Sequence, residues 1–277
     1  METALRLLSV ILLLGVFISV GACGGHSDPP ASNSLAGNWQ VTLNGGTSTA
    51  IVLTGFLTQS GSSVTGSIVL PLTSGCSGVG GVSGTGTGQN LSGAVNGQNV
   101  SLNLNESGAV IGFTGAAASS GTGATMSGNF TAQPGTCALP SAGTWSAIQI
   151  VPISGGFHGS FKSTSGNVVT VTGTLNEGPN TGNSTAVLSG TLATTSAPTL
   201  CSYLFPGTIT GLISGTEVQL NLFGENGLQY AQLGLLTQGG ATVSPDGTSL
   251  SGSYNLPGGV GSACQGSDQG TFSLSFP

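Results

Sequence analysis

The side chains that could act on a chemical bond in this chain are few. Past an N-terminal apolar segment they are Asp28, Glu106, Glu177, Glu217, Glu225, Asp246 and Asp268, the imidazoles of His26 and His158, the base Lys162, and the thiols of Cys23, Cys76, Cys137, Cys201 and Cys264. Two carboxyl groups about 5 to 9.5 Å apart can hydrolyse a glycoside, so the acids are the first candidates. Their local sequences place them elsewhere. Glu106-Ser107-Gly108 and Glu225-Asn226-Gly227 are hairpin turns, as is Pro245-Asp246-Gly247. Glu217 alternates outward from Val218 and Leu220, and Glu177 and Asp268 fall in loops beside Gly178 and Gln269. A nucleophile needs a base next to it. His26 lies in a Gly/Pro/Ser tether and His158 reads as a surface imidazole. No G-x-S-x-G elbow and no D-x-[DN]-x-[DN]-G calcium loop occurs. No residue is assigned a catalytic, metal-binding or cofactor-binding role, and the chain is expected to be non-enzymatic.

Charge excludes further classes. Charged residues make up 4% of the 277, against roughly 25% in ordinary soluble domains. The only bases are Arg6, inside the apolar leader, and Lys162. Nucleic-acid binding draws on many Lys and Arg contacts to phosphate, so no nucleic-acid partner is expected. Phosphoryl transfer with a Walker lysine or an Arg clamp is excluded on the same ground.

Residues 1–22 combine Arg6, an apolar run from Leu7 to Val20, and the small residues Gly21 and Ala22 ahead of Cys23. The run is shorter than the ~20 residues of a spanning helix and matches a secretory h-region. Val20-Gly21-Ala22-Cys23 resembles the lipobox of bacterial lipoproteins. That resemblance implies cleavage before Cys23 and acylation of its sulfur and amino group. Gly24 in place of Asp after the cysteine implies outer-membrane delivery, with the bilayer as partner. Residues 23–35 then read as a lipidated cysteine followed by a flexible tether.

Beyond the tether the sequence repeats. Asn99-Val100-Ser101-Leu102-Asn103-Leu104 returns as Glu217-Val218-Gln219-Leu220-Asn221-Leu222, Ser127-Gly128-Asn129-Phe130 as Ser251-Gly252-Ser253-Tyr254, and Gly143-Thr144-Trp145-Ser146 as Gly270-Thr271-Phe272-Ser273. One unit spans residues 36–152 and its copy 153–277. Alternation of apolar and polar residues, rich in Thr and Val and punctuated by Asn96-Gly97 and Asp246-Gly247, predicts about eight short antiparallel strands in each, among them 37–44, 98–105, 124–132 and 143–150 in the first and 227–237 in the second. The fold class is all-β, each unit closing as a small barrel or packing as a sandwich. Gly37-Asn38-Trp39 resembles the G-x-W start of lipocalin and avidin-like barrels, with Trp39 expected in the core. The Gly/Ser/Thr-rich composition also resembles that of uncharacterised lipoproteins of soil bacteria, which implies no activity.

Four cysteines remain after Cys23, two per copy, in an exported chain, which favours disulfides. Duplication of a bridged unit pairs Cys76 with Cys137 and Cys201 with Cys264. In an up-and-down unit the first pair follows strands three and seven, at one end of the barrel. Four thiolates could instead hold zinc, but no C-x-x-C and no nearby His accompanies them. The functional expectation is an outer-membrane-anchored binding or structural module. The alternatives are a carrier of a small apolar ligand, an adhesin recognising glycan or an envelope protein, and, remotely, a carboxylate hydrolase. Non-reducing peptide mapping of the exported protein should return the 76–137 and 201–264 cross-linked pairs; any other pairing, or free thiols, refutes the assignment.

Overall fold

In the computed structural model the described residues are 34–46, 50–69, 90–106, 109–120, 123–133, 139–180, 182–195, 205–224, 229–233, 240–256 and 267–277. All regular structure among them is β. The first unit comprises β1 (Gly37–Asn44), β2 (Ile51–Ser60), β3 (Ser63–Val69), β4 (Leu91–Asn96), β5 (Asn99–Glu106), β6 (Ala109–Ser120), β7 (Gly123–Gln133) and β8 (Ala142–Ile150). The second comprises β9 (Ser154–Ser163), β10 (Val168–Glu177), β11 (Ala186–Thr194), β12 (Gly207–Ser214), β13 (Glu217–Gly224), β14 (Gln229–Leu233), β15 (Ala241–Val243), β16 (Ser249–Leu256) and β17 (Asp268–Ser275).

Most strands alternate, and the alternation decides which side is dry; β2 and β3 depart from it, with Leu53 to Leu57 and Gly66 to Val69 buried in succession. In β7 the residues Ala124, Met126, Phe130 and Ala132 are buried, while Thr125, Ser127, Asn129 and Thr131 are exposed. Neighbours pair antiparallel in chain order, and β8 returns to β1 through Leu43 opposite Trp145 and Val41 opposite Ala147. The first unit is therefore a closed eight-stranded barrel. In the second, β17 returns to β9 with Phe272 opposite Phe161, and β12 joins β13 with Ile209 opposite Leu222. The strand expected near 227–237 contains β14, and a further short strand that the sequence did not announce, β15, lies beyond it. Both lie between β13 and β16 and together fill one strand position. The sandwich alternative falls, because both sheets close and leave no free edges to pack face to face.

The registers make the duplication structural. Trp39 lies opposite Gly55 as Phe157 lies opposite Gly173. Trp145 faces Gly128 as Phe272 faces Gly252, and Phe130 faces Gly143 as Tyr254 faces Gly270. Leu57 with Gly66 recurs as Leu175 with Gly190. Phe157 thus holds the place of Trp39, a match hidden in the sequence by the change of ring. The physical reason is crowding inside a narrow barrel, where large and small inward residues must alternate. A Cβ on Gly128 would stand 2.0 Å from Thr114 O and 2.5 Å from Gly115 Cα. The indole of Trp145 lies instead edge-on to Phe113 at 5.2 Å and donates from Nε1 to Thr114 O at 3.2 Å. Trp39 is fully buried, with Nε1 donating to Leu35 O at 2.8 Å, which makes it the expected core residue.

The barrels abut through polar contacts. Asn38, 1% exposed, donates from Nδ2 to Gly215 O at 2.9 Å and accepts from Gly215 N at 2.6 Å. Ser214 Oγ lies 2.8 Å from both Thr54 Oγ1 and Ser184 O, and Thr216 Oγ1 donates to Gln40 Oε1 at 2.6 Å. Gly215 has φ +57°, and a Cβ there would meet Thr54 Cγ2 at 2.5 Å, so only glycine fits on both counts. Phe56, Ile150 and Ile153 join the apolar core of the second barrel from the first and from the connecting residues.

If close strand approach is what the paired glycines serve, Gly128→Ala should cost about 1–3 kcal/mol in chemical denaturation, the usual penalty of overpacking. Gly156→Ala is the control, since its nearest neighbour would be Gly173 O at 3.7 Å. Equal stability of the two variants would contradict this account.

Candidate functional site

The interior of the first barrel is the first place to look for a ligand. Val41, Leu53, Ile68, Leu102, Phe113 and Trp145 converge there around a void of about 10 Å³. That is room for roughly one water molecule and far below the ~300 Å³ at which ligand pockets begin.

A larger space, about 290 Å³, lies where the barrels meet. Gly37 opens β1 on one side of it, and Phe56 and Leu57 come from β2. Pro152 of the connection and the segment 177–180 after β10 complete the wall. That segment is held by Asn180, whose Nδ2 donates to Asn183 O at 2.7 Å and to Thr185 O at 2.8 Å while its Oδ1 accepts from Gly182 N at 2.8 Å. Glu177 is the last residue of β10, not a loop residue as expected. Its main-chain N–H donates to Ile153 O at 2.8 Å, which extends the strand one residue into the connection.

The Glu177 carboxyl is chemically unusual. Burial pushes it up to about 7, opposed by a hydrogen bond from the Ile153 amide. Oε2 is sealed from solvent and has no hydrogen-bond partner among the described residues. The first copy supplies a comparison. With Gly37 opposite Leu57 and Gly155 opposite Leu175, Gln59 stands where Glu177 stands and Leu35 where Ile153 stands. Gln59 Oε1 accepts from Leu35 N at 2.7 Å, and its Nε2 donates to Gly61 O at 2.9 Å. The amide is satisfied at both ends; the acid keeps only the contact that an acceptor can make.

The remaining acids do not converge on this space. Asp268 opens β17, again not a loop, and accepts from Ser163 Oγ and from Tyr254 Oη at 2.9 Å. Burial, with the Asp268 hydrogen bond second, raises the Tyr254 phenol well above its usual range. This cluster braces β9, β16 and β17 with its groups already paired. Asp246 caps its turn, and hydrogen bonds from Ser244 Oγ at 2.5 Å and from Thr248 hold it below the usual carboxylate range. Glu217 and His158 are exposed on β13 and β9, and Glu106 ends β5. Among the described residues no three His, Cys, Asp or Glu side chains gather as a metal site. Cys23, Cys76, Cys137, Cys201, Cys264, His26, Asp28 and Glu225 lie outside the described residues. Glu177 could have been singled out from the sequence by its alignment with Gln59 at the offset of 118 that the β5 and β13 segments already share.

Comparison with protein-family models, curated proteins and solved structures finds no match to this chain.

The raised carboxyl has a consequence for stability. An ordinary value of 4.5 against about 7 when folded means that the native state holds the extra proton between those pH values. This group's contribution is therefore complete below about pH 4.5 and is lost as pH rises through about 7. The span is worth at most about 3 kcal/mol, less what remaining solvent contact screens. Glu177→Gln should flatten that part of the stability profile and melt higher than the parent at about pH 8; parallel profiles for the two proteins would show that the acid is not strained.

Proposed function

We propose that the protein is a lipid-anchored, non-enzymatic module of the bacterial outer membrane, held by acyl chains on Cys23 and presenting two joined barrels at the end of a short tether. The observation that carries this reading is the Val20-Gly21-Ala22-Cys23 sequence after the apolar run from Leu7 to Val20. Chains on both the sulfur and the amino group give the two signals that stable anchoring takes. The barrel surfaces agree with such an attachment. Exposed strand positions such as Ser101, Asn103, Thr114, Asn129 and Thr131 are polar, while Leu102, Leu104, Phe113 and Phe130 point inward. A barrel that spans a bilayer has the opposite arrangement, with an apolar band outside.

A binding or scaffolding role through the outer surface and the groove fits this chain better than transport of an apolar ligand, which the 10 Å³ interior of the first barrel would not accommodate. Recognition of glycan or of an envelope protein is a second reading, favoured by the polar, weakly charged outer face. Hydrolysis by paired carboxylates finds no support at the groove, where Glu177 is the one lining acid. The disulfides Cys76–Cys137 and Cys201–Cys264 belong to the same proposal. Its support is that β3 and β7, and likewise β11 and β16, run in the same direction in their barrels, so the segments following each pair start from one end.

Metabolic labelling with a clickable palmitate analogue, followed by membrane fractionation, tests the anchor. The parent should carry label and sediment with the outer membrane, and Cys23→Ser should lose the label and become soluble. Label retained in Cys23→Ser, or an unlabelled parent, refutes the anchor.

A further inference from the structure

We propose that the groove beside Glu177 binds a small organic cation, a primary ammonium group carried on an apolar body. This rests on the binding-module reading and names a site and a ligand class for it. The duplication provides the contrast that carries the inference. Gln59, at the same register position, uses its acceptor on Leu35 N and its donor on Gly61 O, so the first copy needs nothing from outside. Glu177 repeats the acceptor half of that arrangement through the Ile153 amide and leaves Oε2 unpartnered. What is missing is a donor, and an ionised carboxylate is best matched by a charged one.

Among the described residues no such donor lies nearby. Lys162, the sole base after the leader, is exposed on β9, and no charged group contributes to the state of Glu177, which burial and the Ile153 amide alone determine. Among the lining residues Gly37, Phe56, Leu57, Pro152, Pro179 and Asn180, none is titratable. The Asn180 amide is committed to its own turn. A metal ion fits poorly, because hard cations gather six or more oxygen ligands and the groove offers a single carboxylate. Apart from Asn180 and two glycines the rest of the wall is apolar, contributed by Phe56, Leu57, Pro152 and Pro179, and selects a hydrocarbon body over a sugar. The space of about 290 Å³ sets the size at the lower end of small-molecule pockets. Oε2 is sealed from solvent, so the ammonium meets it only after a partial turn about the broad terminal torsion of the glutamate, which carries Oε2 from its sealed position to the groove.

Isothermal titration of the full chain in detergent with cyclohexylammonium, cyclohexanol and cyclohexanecarboxylate tests this. Cyclohexylammonium should bind saturably, up to about tenfold more tightly at about pH 8 than at about pH 6, because it competes with a proton for the carboxylate. The alcohol should bind at least tenfold more weakly and without that pH dependence, and the carboxylate not at all. Glu177→Gln should lose the ammonium preference while keeping a cooperative melt, since Gln59 shows that the amide suits this position in the same fold. In the parent, the carbon-13 titration of Glu177 should move to lower pH as amine is added. Equal binding of amine and alcohol, amine binding unchanged in Glu177→Gln, or a Glu177 titration indifferent to millimolar amine would each overturn the proposal. Such a failure stays separate from that of the anchored-module reading, which the fate of Cys23→Ser decides.

Discussion

Closing eight strands into a barrel this narrow brings neighbouring backbones too near for a side chain on every inward position. That steric limit organises the chain. Where Trp145, Trp39 or Phe130 fills the lumen, the residue across the strand pair is Gly128, Gly55 or Gly143, and the second barrel repeats the arrangement with Phe272, Phe157 and Tyr254. The high glycine content, 50 of 277 residues, would suggest a flexible polymer on composition alone. Many of those glycines instead permit contact between strands, and the large apolar partner covers the backbone that each one bares. The same crowding leaves the first barrel nearly solid, and the larger space of about 290 Å³ lies at the seam outside it.

The scarcity of ionisable groups gives each remaining one a sharper meaning. Asp246 and Asp268 have drawn hydroxyl donors around themselves, and turn capping and strand bracing account for both. Glu177 has only the Ile153 amide, in a place where burial disfavours its charge. A duplicated unit seldom offers so direct a comparison, since Gln59 in the sister position displays the neutral and fully satisfied state. The difference between amide and acid is one atom, and it turns a structural hydrogen bond into a proton-sensitive one.

Much of the fold was legible because period-two patterns are local. The strands near 37–44, 98–105, 124–132 and 143–150 lie within a residue or so of β1, β5, β7 and β8. Barrel closure was not legible, because the pairing of Leu43 with Trp145 joins residues about a hundred positions apart and no local pattern encodes it. The sharing of one strand position by β14 and β15 escaped for a related reason: it depends on how each meets β13 and β16, which no local pattern encodes. Asp268 and Glu177 read as loop residues because each sits at a strand end, where pattern is weakest. The groove itself joins β1, β2, the connection and the β10 terminus, so its residues are neighbours only after both barrels have formed.

Asn38 and Gly215 bind each other reciprocally across the seam, with Ser214 and Thr216 reinforcing them toward Thr54 and Gln40. Such a lock makes the twin barrels one mechanical body. A pull on β1 would pass through the Asn38–Gly215 contact directly to the far half. Severing the halves would bare Phe56, Ile150 and Ile153 together, an apolar exposure that opposes their parting.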